Sequence, residues 1–250
     1  VAAVGLCIYT RRNFPELSLT RTDCKTDRAS LKRVASWSFL TCLQQSVMNF
    51  GILMVQGLVN SFGTAVMAAF AAAVKIDSFA YMPVQDFGNA FSTFIAQNFG
   101  AGRTDRIRRG IRSAIIVTTV FALTVSVLVF LLSPWLMSLF VSAGESEIIA
   151  IGVEYLRIEG SFYVGIGYLF LLYGLYRAVA MPSMSVVLTV VSLGTRVALA
   201  YALAAIPSIG YTGIWWSVPI GWALADITGL WYYRRRRDTI MAFSWSVGKA

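Results

Sequence analysis

A carboxylate, a guanidinium, an amide and a phenol (Asp86, Arg196, Asn49 and Tyr163) stand inside stretches of chain that are otherwise almost wholly apolar. Groups of this kind are costly in a low-dielectric interior, and each is a functional candidate by default. Their chemistry is reversible binding. A carboxylate takes up a cation or a proton, amide and phenol oxygens add partners, and a guanidinium balances charge. Gln45, one turn before Asn49, and Asn89, three residues after Asp86, extend the set along their helix faces. Asp77, four residues before Tyr81, is a further candidate carboxylate. The competing reading is that such groups tie helices together, and Arg196 has the option of bending to pair with Asp226.

The elements that must position these residues are spanning helices. Of the 21 Lys and Arg residues, all but Lys75, Arg157 and Arg196 fall in alternate gaps between apolar runs or in the terminal tail. One gap holds Arg11, Arg12, Arg21, Lys25, Arg28, Lys32 and Arg33; another holds Arg103, Arg106, Arg108, Arg109 and Arg112. Arg177 and then Arg234–Arg237 with Lys249 complete the pattern. The intervening gaps, near 60–64, 133–147 and 206–213, have none. This is the positive-inside signature of a multi-pass membrane protein with its basic gaps cytoplasmic. It also serves as a ruler. At 1.5 Å per residue from the cytoplasmic ends, Asn49, Asp86, Tyr163 and Arg196 share a depth of roughly 20 Å.

Composition agrees. The chain is 57% hydrophobic and 13% charged, against the roughly one quarter charged residues of soluble domains. The net charge of +9 is divided among membrane edges instead of forming one patch, which argues against nucleic acid as a partner and for anionic lipid. Histidine is absent, and Cys7, Cys24 and Cys42 have no metal-ligand spacing, so they read as small apolar filler without a disulfide framework.

Six spans of about 20 residues or more are predicted at 34–59, 65–99, 111–132, 148–176, 183–206 and 212–233. The fold class is an all-α membrane protein, a six-transmembrane-helix bundle. Asn60–Gly63 turns the chain between the first two spans, Ser133-Pro134 ends the third, and Pro182 and Pro207 flank the fifth. Pro83 is expected to kink the second. Trp215, Trp216, Trp231, Tyr232 and Tyr233 read as an aromatic belt on the sixth. Glu154, Arg157 and Glu159 open the fourth, either as a charged outer gate with Lys75 or, the better reading, as a locally neutralised helix end. The expected organisation is 1–10, the end of a preceding span whose start is missing; 11–33, a cytoplasmic linker; 34–235, the helical lobe; and 236–250, a cytoplasmic tail.

No enzymatic constellation is present. HExxH is impossible without histidine, and GxSxG, a Walker lysine and a TVGYG-like filter are all lacking. The chain is expected not to be an enzyme and to need no cofactor.

Several stretches carry a family resemblance. They are Lys75–Ala90, Ala96–Gly102, Thr195–Tyr201 and Ile209–Ile220, in that order and spacing. With six helices behind a basic linker, they resemble the second half of a multidrug and toxic compound extrusion (MATE) transporter. The resemblance implies two six-helix lobes around a cleft that opens alternately to each side, this chain being the C-terminal lobe. It implies export of organic, often cationic, compounds from the cell in exchange for Na+ or H+, across the plasma membrane, with an N-terminal lobe as partner. The carboxylates that sodium-coupled members place midway along their seventh and tenth helices have no counterpart at Met48 or in 162–166. That leaves Asp86, Asp77 or the other lobe to supply the charge. A lipid-linked oligosaccharide flippase of the same superfamily, an intramembrane enzyme and a purely structural subunit are the alternatives.

Overall fold

In a computed structural model, residues 2–14, 27–142 and 144–247 are described, and every regular element among them is a helix. The helices are α1 (Ala2–Asn13), α2 (Arg28–Asn60), α3 (Thr64–Gly100), α4 (Thr104–Ser138), α5 (Ser146–Gly160), α6 (Tyr163–Ala178), α7 (Pro182–Ala204) and α8 (Thr212–Val247). Arg21, Cys24, Lys25 and Lys249 lie outside the described residues. The expected all-helical membrane fold is what the chain adopts. Among the described residues, four helices are long and apolar enough to cross a membrane, and α5 with α6 makes a fifth if the pair is one span. The sixth position belongs to α8, whose tryptophans, Pro219 and Asp226 make it less apolar than the others.

The chain divides into two compact units, Val1–Phe39 and Leu40–Ala250. In the first, α1 closes with Arg11 and Arg12 in its last turn, where cations suit the negative end of the helix dipole. The amide of Asn13 donates back to the Tyr9 carbonyl at 2.9 Å, satisfying one of the free terminal acceptors.

The second unit is a bundle centred on α3 and α6. α3 packs against α4, α5 and α6, and α7 lies along α8. A close approach of α3 and α6 falls between Gly88 and Gly174. A Cβ on Gly174 would lie 2.6 Å from the Gly88 carbonyl oxygen, so only glycine permits this spacing of α3 and α6. Turns fall where the sequence predicts at Gly63 (φ 97°), and also at Gly102 (φ 66°), both in the left-handed region that glycine enters freely. Apolar faces buried on α3, α5 and α8 meet in a core around Ile76, Tyr155, Leu156, Ile214 and Trp215.

Several expectations change. The predicted fourth span is two helices, α5 and α6, meeting at 52° over Ser161-Phe162. Gly160 and Ser161 are weak helix formers at this point, and the Ser161 hydroxyl turns back to donate to the Arg157 carbonyl at 2.6 Å. Pro134 does not end α4. It withholds the amide that would have served the Phe130 carbonyl, and the Ser133 hydroxyl donates there instead at 3.1 Å, so the helix continues to Ser138. α3 is one helix through Pro83, as a kinked helix would also be. α8 continues past Tyr233 through the arginine run, arginine being a good helix former. Of the predicted belt, Trp216 and Trp231 are exposed, but Trp215 is fully buried and stacks on Phe70 with centroids 5.5 Å apart. Cys7 and Cys42 are exposed free thiols, not packed filler.

Candidate functional site

The break between α5 and α6 faces α3 at Asp77. Tyr163, the first residue of α6, donates its hydroxyl to Asp77 Oδ1 at 2.6 Å, and both side chains are buried. Glu159, on the last turn of α5, is only 2% exposed and stands beside Asp77 and Tyr155. Its Oε1 is buried without a hydrogen-bond partner. Tyr155, Glu159 and Tyr163 are spaced four apart, which keeps them on one side of the broken helix despite the bend. Behind Tyr155 the ring of Trp215 closes the floor edge-on, with centroids 5.0 Å apart.

Among the described residues, one cation serves this interior. Arg196, half-buried on α7, lies close enough to interact electrostatically with Asp77, Glu159 and Tyr155. Its Nε is buried and unpartnered. Arg196 therefore does not pair with Asp226. That aspartate is buried separately on α8, with Oδ2 3.8 Å from where a Cβ on Gly165 would sit and Oδ1 without a partner. Two carboxylates, two phenols and one guanidinium gathered in a largely buried cluster have the chemistry of a binding site for one small cation or proton. Among the described residues no group of three or more His, Cys, Asp or Glu side chains is placed to hold a metal ion.

Of the residues expected to share one depth, the structure brings together Tyr163 and Arg196, and adds Asp77. Asp86 is elsewhere. It is exposed, nine residues and about 13 Å further along α3. Asn89 is exposed too, its Oδ1 accepting from Arg177 Nη2 at 3.1 Å. Asn49 and Gln45 are exposed on α2.

Glu159 is the residue that sequence reasoning placed differently, grouping it with Glu154 and Arg157 at the helix opening. Those two do lie apart from it. Glu154 Oε1 accepts from the Thr212 hydroxyl at 2.8 Å, Arg157 sits over the Phe130 ring at 5.3 Å, and Lys75 is exposed. The signal that marks Glu159 is the four-residue repeat with Tyr155 and Tyr163, straddling a Gly-Ser pair.

Comparison with known proteins supplies the context for this geometry. The chain is 29% identical over 197 residues to the probable multidrug resistance protein YpnP of Bacillus subtilis (strain 168), covering 78% of this chain and 43% of that protein. It is 24% identical to YoeA, a probable multidrug resistance protein of the same organism, over 92% of this chain and 50% of the relative. Its fold matches a multidrug resistance MATE family transporter of the MOP superfamily, solved in an outward-facing conformation, with TM-score 0.85 at 20% identity. That match covers 96% of this chain and 54% of the solved one. The chain thus spans about half the length of the relatives it matches. The MatE family model matches residues 38–202, and the chain belongs to that family, one of multi-pass membrane transporters and not of enzymes.

Proposed function

We propose that this chain is the C-terminal lobe of a secondary active multidrug exporter, and that the Asp77–Glu159–Tyr163 pocket holds its coupling ion. The observation that carries the proposal is the charge count of a buried site. Buried Asp77 and Glu159 share one neighbouring cation among the described residues, Arg196, so with both carboxylates ionised the site is one positive charge short. An uncompensated charge in a low-dielectric interior is expensive, and one proton or one Na+ removes the deficit. The position at a broken helix supports this, because discontinuous helices are where transporters place ion sites at membrane depth.

The exposed polar residues take the second role. A carboxylate such as Asp86 in an apolar helix is not tolerated against lipid and calls for a water-filled cleft or a protein neighbour. Asp86, with Asn49, Gln45 and Asn89, is therefore assigned to the wall of a cleft shared with an N-terminal lobe, where an organic cation from the cytoplasm binds. Loading of the Asp77 pocket from outside then favours the outward-open arrangement and releases substrate. The basic edge of the lobe faces the cytoplasm, and the membrane is the plasma membrane.

Efflux of a fluorescent organic cation from proteoliposomes, with sodium and pH gradients imposed separately, tests the proposal. Gradient-driven export that disappears in Asp77→Asn is the expected result. Export that ignores both gradients would remove the antiport reading.

A further inference from the structure

Outside the carboxylate pocket, a groove runs along the α3–α4 pair, starting at the arginine-rich turn that joins them. Its wide part has a volume of about 660 Å³, with Phe87, Phe91 and Phe94 on the α3 side and Arg106, Arg109 and Ser113 on the α4 side. Phe87 and Val117 also border a second space of about 150 Å³, lined further on by Pro83, Thr118 and Phe121. At the groove's head Gly110 makes room for the Phe94 ring, which a Cβ there would overlap. Arg106 and Arg109 are exposed and three residues apart, hence on one face of the first turns of α4, where the helix dipole adds to their positive charge.

We propose that this groove binds an anionic phospholipid, with its headgroup phosphate on Arg106 and Arg109 and one acyl chain lying along Phe94, Phe87 and Val117. Charge complementarity selects the headgroup. The stretch 103–112 carries five arginines against the one aspartate Asp105, on the edge of the bundle where anionic headgroups lie. The apolar length selects a lipid over a free anion. From Arg109 to Phe121 the groove follows α4 for about 18 Å, bordered almost entirely by aromatic and aliphatic side chains, which a small soluble anion would leave uncovered. Arginine suits the phosphate because its planar fork donates two parallel hydrogen bonds.

Native mass spectrometry of the detergent-solubilised protein tests this, with phosphatidylglycerol and phosphatidylcholine of matched chains as probes. Wild type is expected to retain phosphatidylglycerol in preference to phosphatidylcholine. The double variant Arg106→Gln/Arg109→Gln should lose about thirtyfold in apparent affinity for phosphatidylglycerol, from two surface arginines acting on an anionic lipid. Arg234→Gln/Arg235→Gln, changing exposed arginines on α8, should leave retention as in wild type. Ser113→Trp, which fills the groove with both arginines intact, should reduce it as well. Equal retention of the two lipids, or equal losses in the α4 and α8 variants, would overturn the proposal. So would undiminished retention in Ser113→Trp, which would make the arginines a surface patch without a groove. Size-exclusion profiles of each variant verify folding.

Discussion

Helix α3 carries two aspartates nine residues apart, and they live in different worlds. Asp77 is 6% exposed, hydrogen-bonded to Tyr163 and flanked by Glu159; Asp86 is exposed beyond Pro83, where α3 runs against the straight part of α6. Nothing in the residue type distinguishes them. The facing helix does. Opposite Asp77 the α5–α6 chain breaks and supplies a phenol and a second carboxylate, whereas near Asp86 the helices approach to glycine distance at Gly88 and Gly174, leaving no interior for a charge. On the proposed reading, burial with partners suits Asp77 to hold an ion, and exposure suits Asp86 to meet a substrate.

The sharpest way to break this comparison is to remove the single cation from the buried half. Arg196→Gln leaves two carboxylates facing each other unrelieved, at a cost of about 3–5 kcal/mol, and folded yield in a thermal-stability assay should fall steeply. Adding Glu159→Gln to that variant should restore much of the loss; an unrescued double variant would show that Arg196 acts elsewhere. Next in size, Asp77→Asn and Glu159→Gln should each abolish gradient-driven export while leaving the protein folded. Tyr163→Phe, which deletes a charge-assisted hydrogen bond that holds the Asp77 carboxylate in its ionised form and is worth about 1.5–3 kcal/mol, should tighten coupling-proton binding roughly ten- to hundredfold, measured as a fall in the half-saturating proton concentration for export. The smallest effect is expected in the exposed half. Asp86→Asn should raise the half-saturating substrate concentration by about fivefold, the scale of roughly 1 kcal/mol for a solvent-accessible charge pair, with ion dependence unchanged.

Much of this fold is legible in the sequence, because charge-free apolar runs and alternating basic gaps are written directly in composition. The helical fold and the order of its helices follow from those, and the turn at Gly63 from the turn-forming residues Asn60–Gly63 that split a charge-free run. Depth along a straight helix is also legible, and it is why Tyr163 and Arg196 were expected in one site. What depth does not give is rotation. Nor does the common depth hold once a helix bends: Tyr163 and Arg196 meet α3 at Asp77, about 13 Å along the helix from Asp86, and which face of α3 is buried there depends on the neighbour across the interface. The break at Ser161-Phe162 was hidden for a related reason. Glycines and a serine in a span serve close packing as often as bending, and only the packed bundle decides between them. Pro134 misled in the other direction, because a single hydroxyl at Ser133 serves the carbonyl that the proline leaves without its usual donor.

Asp77 is the residue on which coupling is proposed to turn. Proteoliposomes loaded with a fluorescent organic cation, carrying wild type, Asp77→Asn or Asp86→Asn, and subjected in turn to a sodium and a proton gradient, test it most directly. The predicted result is that Asp86→Asn still responds to whichever gradient drives wild type, while Asp77→Asn responds to neither. An Asp77→Asn protein that keeps the wild-type gradient response, with Asp86→Asn losing it, would contradict the assignment and exchange the roles of the two halves of α3.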